Sequence, residues 1–242
     1  MENNIILLLT ATIDTKNCLN SERNDKIIRE KDYHDALEYY LQLGVFKRII
    51  FCENSGSHLK KINEFNEKSN TLDVQLEWLY FNDVEFNPNL GKGLGESKIF
   101  NYVLNNSNFL DKESLILKIT GRYKLKNVKK IISFAQNNMH LDVISDYRDN
   151  LKICDSRVFL FNVRFFKKYL NKFVDIIDEK NEIYFEHSLA RAIHLAISDG
   201  LEWKMLPYAP IIEGYNGTTG KKIRTSLSKI IRLRYKASLF KY

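Results

Sequence analysis

Unbroken apolar runs of strand length, separated by longer stretches of helical periodicity, restrict the fold of this chain more than any other feature. Residues 4–11 (NIILLLTA), 46–52 (FKRIIFC) and 114–119 (SLILKI) are such runs. A strand wetted on one face alternates apolar with polar side chains, whereas a continuous run implies cover on both faces. Residues 74–81, 141–145 and 158–162 read as three further strands. Between them lie helical segments. Residues 25–44 carry Tyr33, Ala36, Leu37, Tyr40 and Leu41 at helical spacing, with Gly44 as a stop. Residues 57–68, 96–104, 128–136 and 184–198 are also helical. Val163, Phe166, Leu170, Phe173, Val174 and Ile177 mark one more amphipathic helix. This alternation predicts βαβ units: a single Rossmann-like α/β domain with a mostly parallel central sheet flanked by helices.

At 242 residues the chain can bury a full core, and no Pro/Ser-rich linker or repeat divides it. The apolar run at the start is too short for a bilayer span, and no basic n-region or small-residue cleavage site accompanies it. The three cysteines, Cys18, Cys52 and Cys154, are odd in number and lack metal-ligand spacing. Free thiols and a cytoplasmic location are therefore expected. The formal charge is +7, and residues 221–242 hold eight Lys/Arg and no acid, so the remainder is within one charge of neutral. Residues 223–242 are expected to form a basic amphipathic tail, with the main domain covering 1–222. Such a tail can rest on an anionic membrane surface at the inner face, or pack its apolar side on the domain.

Three stretches could carry chemistry. Six of the ten glycines fall in two groups, Gly91/Gly93/Gly95 and Gly214/Gly217/Gly220. The first precedes a helix, whose free N–H groups attract anions. The second joins Thr218, Thr219, Lys221 and Lys222, a suitable lining for a diphosphate. Neither fits a dinucleotide or P-loop spacing, and two flexible turns are the plain alternative. The strand at 114–119 runs into Thr120-Gly121-Arg122-Tyr123. This presents Arg122 at the carboxyl end of the sheet, where ligands of open α/β sheets bind and where a guanidinium can clamp phosphate. Tyr184-Phe185-Glu186-His187 opens a helix, and Glu186 is either a helix-capping acid or a base for a sugar hydroxyl. His187 and His194 lie seven apart, too far in register for a metal pair. The acids of Ser145-Asp146-Tyr147-Arg148 and Asp155-Ser156-Arg157 stand beside arginines, which local ion pairs explain. Asp178-Glu179 reads as a solvated helix end.

In element order and motif position, residues 4–222 resemble the GT-A class of glycosyltransferases, especially bacterial enzymes of surface polysaccharide (capsule, O-antigen, lipo-oligosaccharide) synthesis. The resemblance implies a nucleotide-sugar donor and a glycan or lipid-linked acceptor. It places the nucleotide against Thr10, Ala11 and Thr12, Glu53 at the base or ribose, and residues 216–222 over the diphosphate. It makes Glu186 the catalytic base. One departure matters: where the family carries its metal-binding DxD, this chain has Thr120-Gly121-Arg122. Arg122 is then expected to neutralise the leaving diphosphate without metal. Alternatively Asp155 takes part of the DxD role with Mg²⁺ or Mn²⁺. A sugar nucleotidyltransferase of similar fold is the nearest rival, though it would favour a glycine-rich basic loop after the first strand. A non-catalytic nucleic-acid-binding module is the rival from another class. Its basic, aromatic-studded face is missing, so no nucleic-acid partner is expected.

Overall fold

The first half of the computed structural model is built from β1 (Ile6–Ala11), α1 (Lys26–Leu43), β2 (Arg48–Glu53), α2 (Ile62–Thr71), β3 (Gln75–Tyr80) and α3 (Lys92–Asn106). There follow β4 (Leu115–Thr120), β5 (Lys124–Leu125), α4 (Val128–Gln136), β6 (Val143–Ile144), β7 (Tyr147–Arg148) and β8 (Ile153–Cys154). The chain continues through β9 (Val158–Asn162), α5 (Val163–Lys168), α6 (Phe185–Ser198), β10 (Trp203–Lys204) and β11 (Ile212–Glu213). The structure describes residues 5–15, 22–82 and 92–224, together with Ile231 and Tyr235. Cys18, Gly91 and nearly all of the tail expected at 223–242 lie outside the described residues. Among those described, no helix is long and apolar enough to cross a membrane.

Seven strands form one sheet in the order β10-β6-β9-β4-β1-β2-β3. β1 to β4 are mutually parallel where they pair, and β9 runs antiparallel between β4 and β6. The connection from β6 to β9 holds only the short β7–β8 hairpin. Without a crossover helix the chain must return antiparallel, so the sheet is mostly rather than wholly parallel. Successive residues of β1 feed opposite cores. Leu7 and Leu9 pack with α1 and α4, while Ile6 and Leu8 pack with α3, α5 and α6. This two-sided burial is why β1 reads as a continuous apolar run.

Helix α1 does more than cover the sheet. Asp25 caps its start, its side chain accepting the Ile28 N–H, and Gly44 ends it at φ 63°. Its buried tyrosines satisfy the loops beyond. Tyr40 Oη donates to the Tyr123 carbonyl (2.7 Å) and accepts from Leu125 N (2.9 Å), while Tyr33 Oη accepts from Thr12 N (3.0 Å).

Two predicted elements change. The helix expected at 163–177 stops at Lys168 and continues as a tighter 3-10 stretch, Leu170–Ile176, with Lys172 N bonding to Tyr169 O at 3.2 Å. Helix α3 begins at Lys92, ahead of the predicted residue 96, so Gly93 and Gly95 lie inside its first turn. At Gly93 an added Cβ would meet the Phe185 backbone nitrogen at 3.0 Å, so the glycine lets α3 press against the start of α6.

The chain turns between β1 and β4, and there the sheet order reverses direction, the position where open α/β sheets form ligand crevices. Gly121 N donates to Thr10 O (2.8 Å), and a Cβ on Gly121 would also stand 2.8 Å from that carbonyl. Gly121→Ala is therefore expected to destabilise the fold by about 1–3 kcal/mol, the usual cost of overpacking against a rigid neighbour. For a chain of this size each kcal/mol lowers Tm by about 2–4 °C. An unchanged melting temperature would show that this strand junction is not tightly fixed.

Candidate functional site

At that junction lies a cavity of about 510 Å³, within the range of small-molecule sites. The ends of β1 and β4 form its floor through Thr10, Ala11 and Thr120. One wall comes from the loop after β1 and from α1. Thr12 Oγ1 donates to Asn54 Oδ1 (2.7 Å), and the buried Arg29 donates to Thr12 O through Nε (2.9 Å) and Nη2 (2.5 Å). Thr12 is thus held through both its side chain and its backbone carbonyl.

The second wall is cationic. Arg122 reaches along the loop of residues 214–222, donating from Nε to Tyr215 O (3.3 Å). Its guanidinium packs against Gly217, where an added Cβ would come within 2.5 Å of Nη2. Arg157 also faces the cavity, and Asp155 holds one edge of its guanidinium: Nε donates to Oδ1 at 2.8 Å and Nη2 to Oδ2 at 2.5 Å. Arg148 completes the group on Asp155. Burial works against charge on Asp155, yet Arg157 and Arg148 hold its carboxyl down to about 2. The loop of residues 214–222 closes over this wall, tied by Lys92 Nζ to Thr218 Oγ1 (3.0 Å) and by Arg23 N to Gly217 O (3.3 Å).

The third wall is acidic. Glu186, in the first turn of α6, accepts from Ser156 Oγ at 2.8 Å. Burial raises its proton affinity above the ordinary carboxyl value; the Ser156 hydroxyl opposes the rise, and the charges of Glu96 and Asp155 add to it. Glu179 is buried rather than solvated, accepting Gly93 N at 2.6 Å, and burial raises its affinity too. Glu96 stands beside them at the cavity surface, bonded to the buried Lys118.

Of the residues singled out in the sequence, Thr10, Ala11, Thr12, Arg122, Thr218 and Glu186 line this one cavity. Glu53 does not. It is buried behind the first wall, accepting from Ile13 N (2.8 Å), Ser55 N (3.0 Å), Ser57 N (3.1 Å) and Ser55 Oγ, and so clamps two loops together. Gly121 lies beneath the floor as a packing residue, and Asp155 stands behind Arg157 as its anchor. Thr219, Lys221 and Lys222 are exposed outside the cavity. The backbone donors of Thr218 and Thr219 are answered by Asn216 Oδ1 (2.7 and 3.2 Å), which leaves them no free direction toward a phosphate.

Sequence reasoning missed Arg157 as a lining cation, and it missed Glu96, Glu179 and Lys118. The signal for Lys118 was present: a lone charge inside a strand buried on both faces requires a buried partner. Among the described residues no group of three His, Cys, Asp or Glu is placed to hold a metal ion.

No protein-family model matches the chain, and no curated protein matches it. Among solved structures it is similar to the inositol-1-phosphate CTP transferase from T. maritima, at TM-score 0.44 and 13% identity over 85% of this chain and 86% of that one. It is similar to HddC from Yersinia pseudotuberculosis at TM-score 0.40 and 12% identity, over 96% of each chain. It is also similar to mouse xyloside xylosyltransferase 1, at TM-score 0.40 and 10% identity over 84% of each.

The arrangement behind Arg157 has a pH signature. Asp146 is buried, and with Asp155 holding the arginines, burial and the Asp155 charge push its carboxyl from the ordinary 3.8 up to about 7. Between those values the folded chain binds a proton that the unfolded chain has released, so stability falls as pH rises through this window. The slope is up to about 1.4 kcal/mol per pH unit. Asp146→Asn should match the parent near pH 4 and become progressively more stable than it toward pH 7.5 in denaturant titrations. A constant difference across that range would contradict the assignment.

Proposed function

We propose that this chain is a glycosyltransferase, moving a sugar from a nucleotide-sugar donor to an acceptor hydroxyl. One observation carries the reading: a single cavity at the β1/β4 edge joins a wall of anchored guanidinium groups to a wall holding a carboxyl of raised proton affinity. A diphosphate suits the guanidinium wall, since arginine meets phosphate oxygens with paired donors. A sugar hydroxyl suits the carboxyl wall.

In this reaction the acceptor oxygen forms a bond to the anomeric carbon as the bond from that carbon to the diphosphate oxygen breaks. Glu186 takes the acceptor proton, and a raised affinity makes its carboxylate a stronger base. The electron pair leaves with the nucleoside diphosphate. Arg122 and Arg157 lie where that negative charge develops, and fixed charges in a sheltered site stabilise it without reorganising. Thr12, held by Asn54 and Arg29, offers a shelf for the nucleoside. Mg²⁺ or Mn²⁺ at the diphosphate is the alternative to an arginine-only site, and assays with and without chelator separate the two.

We extend the reading to a glycan or lipid-linked acceptor of surface polysaccharide at the inner face of the membrane, with the main domain at 1–222. The eight basic residues within 221–242 support it, being suited to an anionic surface. A nucleotidyltransferase using the same cavity would release pyrophosphate instead of a nucleoside diphosphate. Directly after β1 stands Thr12-Ile13-Asp14-Thr15, without the glycines and basic residues that suit a triphosphate, which favours the sugar transferase.

Glu186→Gln should lower turnover by about 10²–10⁴-fold, the usual contribution of a general base. Donor affinity by calorimetry should be preserved, because Gln can still accept from Ser156. Parent turnover should climb with pH along a limb above the ordinary glutamate value of 4.5. Near-parent turnover in the variant would place the base elsewhere.

A further inference from the structure

Lys118 is fully buried at the centre of β4, and the catalytic account above leaves it without a role. Its position in LILKIT faces the same core as Ile116 and Phe159, where an aliphatic residue would pack without desolvating a charge. Its ammonium instead holds the Glu96 carboxylate and donates to Ser156 O (2.6 Å) and Thr120 Oγ1 (3.3 Å). Ser156 in turn donates through Oγ to Glu186. One buried cation thus anchors both neighbours of the candidate base, each from a different element.

We propose that Glu96, held in place by Lys118, is a positioning residue for Glu186, and that its negative charge governs when Glu186 can accept a proton. Both carboxylates face the same cavity, and Glu96 is additionally steadied by Thr10 Oγ1 at 3.4 Å. The charged and titratable groups around Glu186 act in opposite senses. From α3, the Glu96 anion disfavours a second negative charge. From the connection between β8 and β9, Asp155 acts likewise, Arg157 opposes it, and the Ser156 hydroxyl favours the ionised form. Glu179, from the 3-10 turn Glu179–Asn181, and the buried Cys154 thiol complete the set. Of the two carboxylates that raise Glu186, Asp155 is already matched by two arginines. Glu96 has a single lysine partner, and its charge acts on Glu186 more strongly than that of Asp155.

The inference uses the proposed reaction only for its kinetic arm. Titrating the full chain with ¹³C-labelled glutamate carboxyls reads the Glu186 midpoint directly, Glu186→Gln identifying the resonance. Glu96→Gln should move that midpoint down by at least about half a pH unit, as expected for removal of a nearby like charge. Ser156→Ala should move it up, since a donor to the ionised form is lost. Glu96→Gln costs stability because the buried Lys118 loses its counter-charge, while the Ser156 and Thr120 oxygens still accept from it, and a cooperative thermal melt verifies that the titrated variant is folded. Glu96→Ala is the second variant and should give the same downward shift. A midpoint that stays put or rises when Glu96 is neutralised would overturn the proposal. In turnover, the acid limb should move with the midpoint. A shifted midpoint with no transferase activity in any variant would sink the glycosyltransferase reading and leave this one standing.

Discussion

Everything at the site depends on how closely β4 leaves the sheet beside β1. Gly121 hands its N–H to the Thr10 carbonyl with no room for a side chain between them. Because the strands stay joined to their last residues, the next residue, Arg122, is delivered over the sheet edge at a fixed height. Tyr40 then secures both ends of the following turn, at the Tyr123 carbonyl and the Leu125 nitrogen. A looser exit would leave the guanidinium on a mobile loop, where holding a phosphate would first cost the entropy of ordering it.

On this frame, charges of opposite sign are kept apart by giving each its own partners. The arginine wall is stabilised from behind, with Asp155 taking Arg157 and Arg148. The carboxylate wall is stabilised from beneath and beside, Glu96 by Lys118, Glu186 by Ser156 and Glu179 by the Gly93 N–H. Groups paired this way need not collapse onto one another across the cavity. The space between them stays open, cationic on one side and acidic on the other. Preorganisation of this kind is where most electrostatic catalysis comes from.

The strands and helices that set this frame were legible because burial on two faces writes itself as unbroken apolar sequence. β1, β2, β4 and β9 each appeared within two residues of their ends. The antiparallel sense of β9 was not legible, since strand direction follows from what the connection contains. The break after α5 was missed because the apolar spacing runs through it unchanged. At the site, Arg122 and Glu186 stood out as charges at element ends. Glu53 entered through the family resemblance alone and is surrounded by backbone donors, whereas Asp155, read first as an ion-pair partner of nearby arginines, is held by Arg148 and Arg157. Sequence spacing does not report which way a side chain at a strand end turns. Lys118 shows the converse: its charge was plain in the sequence, but its partners come from α3 and the approach to β9, residues distant along the chain.

The central claim is that the guanidinium wall receives a diphosphate at the carboxyl edge of β1 and β4. A crystal structure of the chain with a bound nucleoside diphosphate tests it most directly. The account expects phosphate oxygens within hydrogen-bond distance of Arg122 and Arg157, with the nucleoside extending toward Thr12 and Asn54. A nucleotide bound at the opposite edge of the sheet, or in this cavity with its phosphates turned toward Glu186 and away from both arginines, would contradict it.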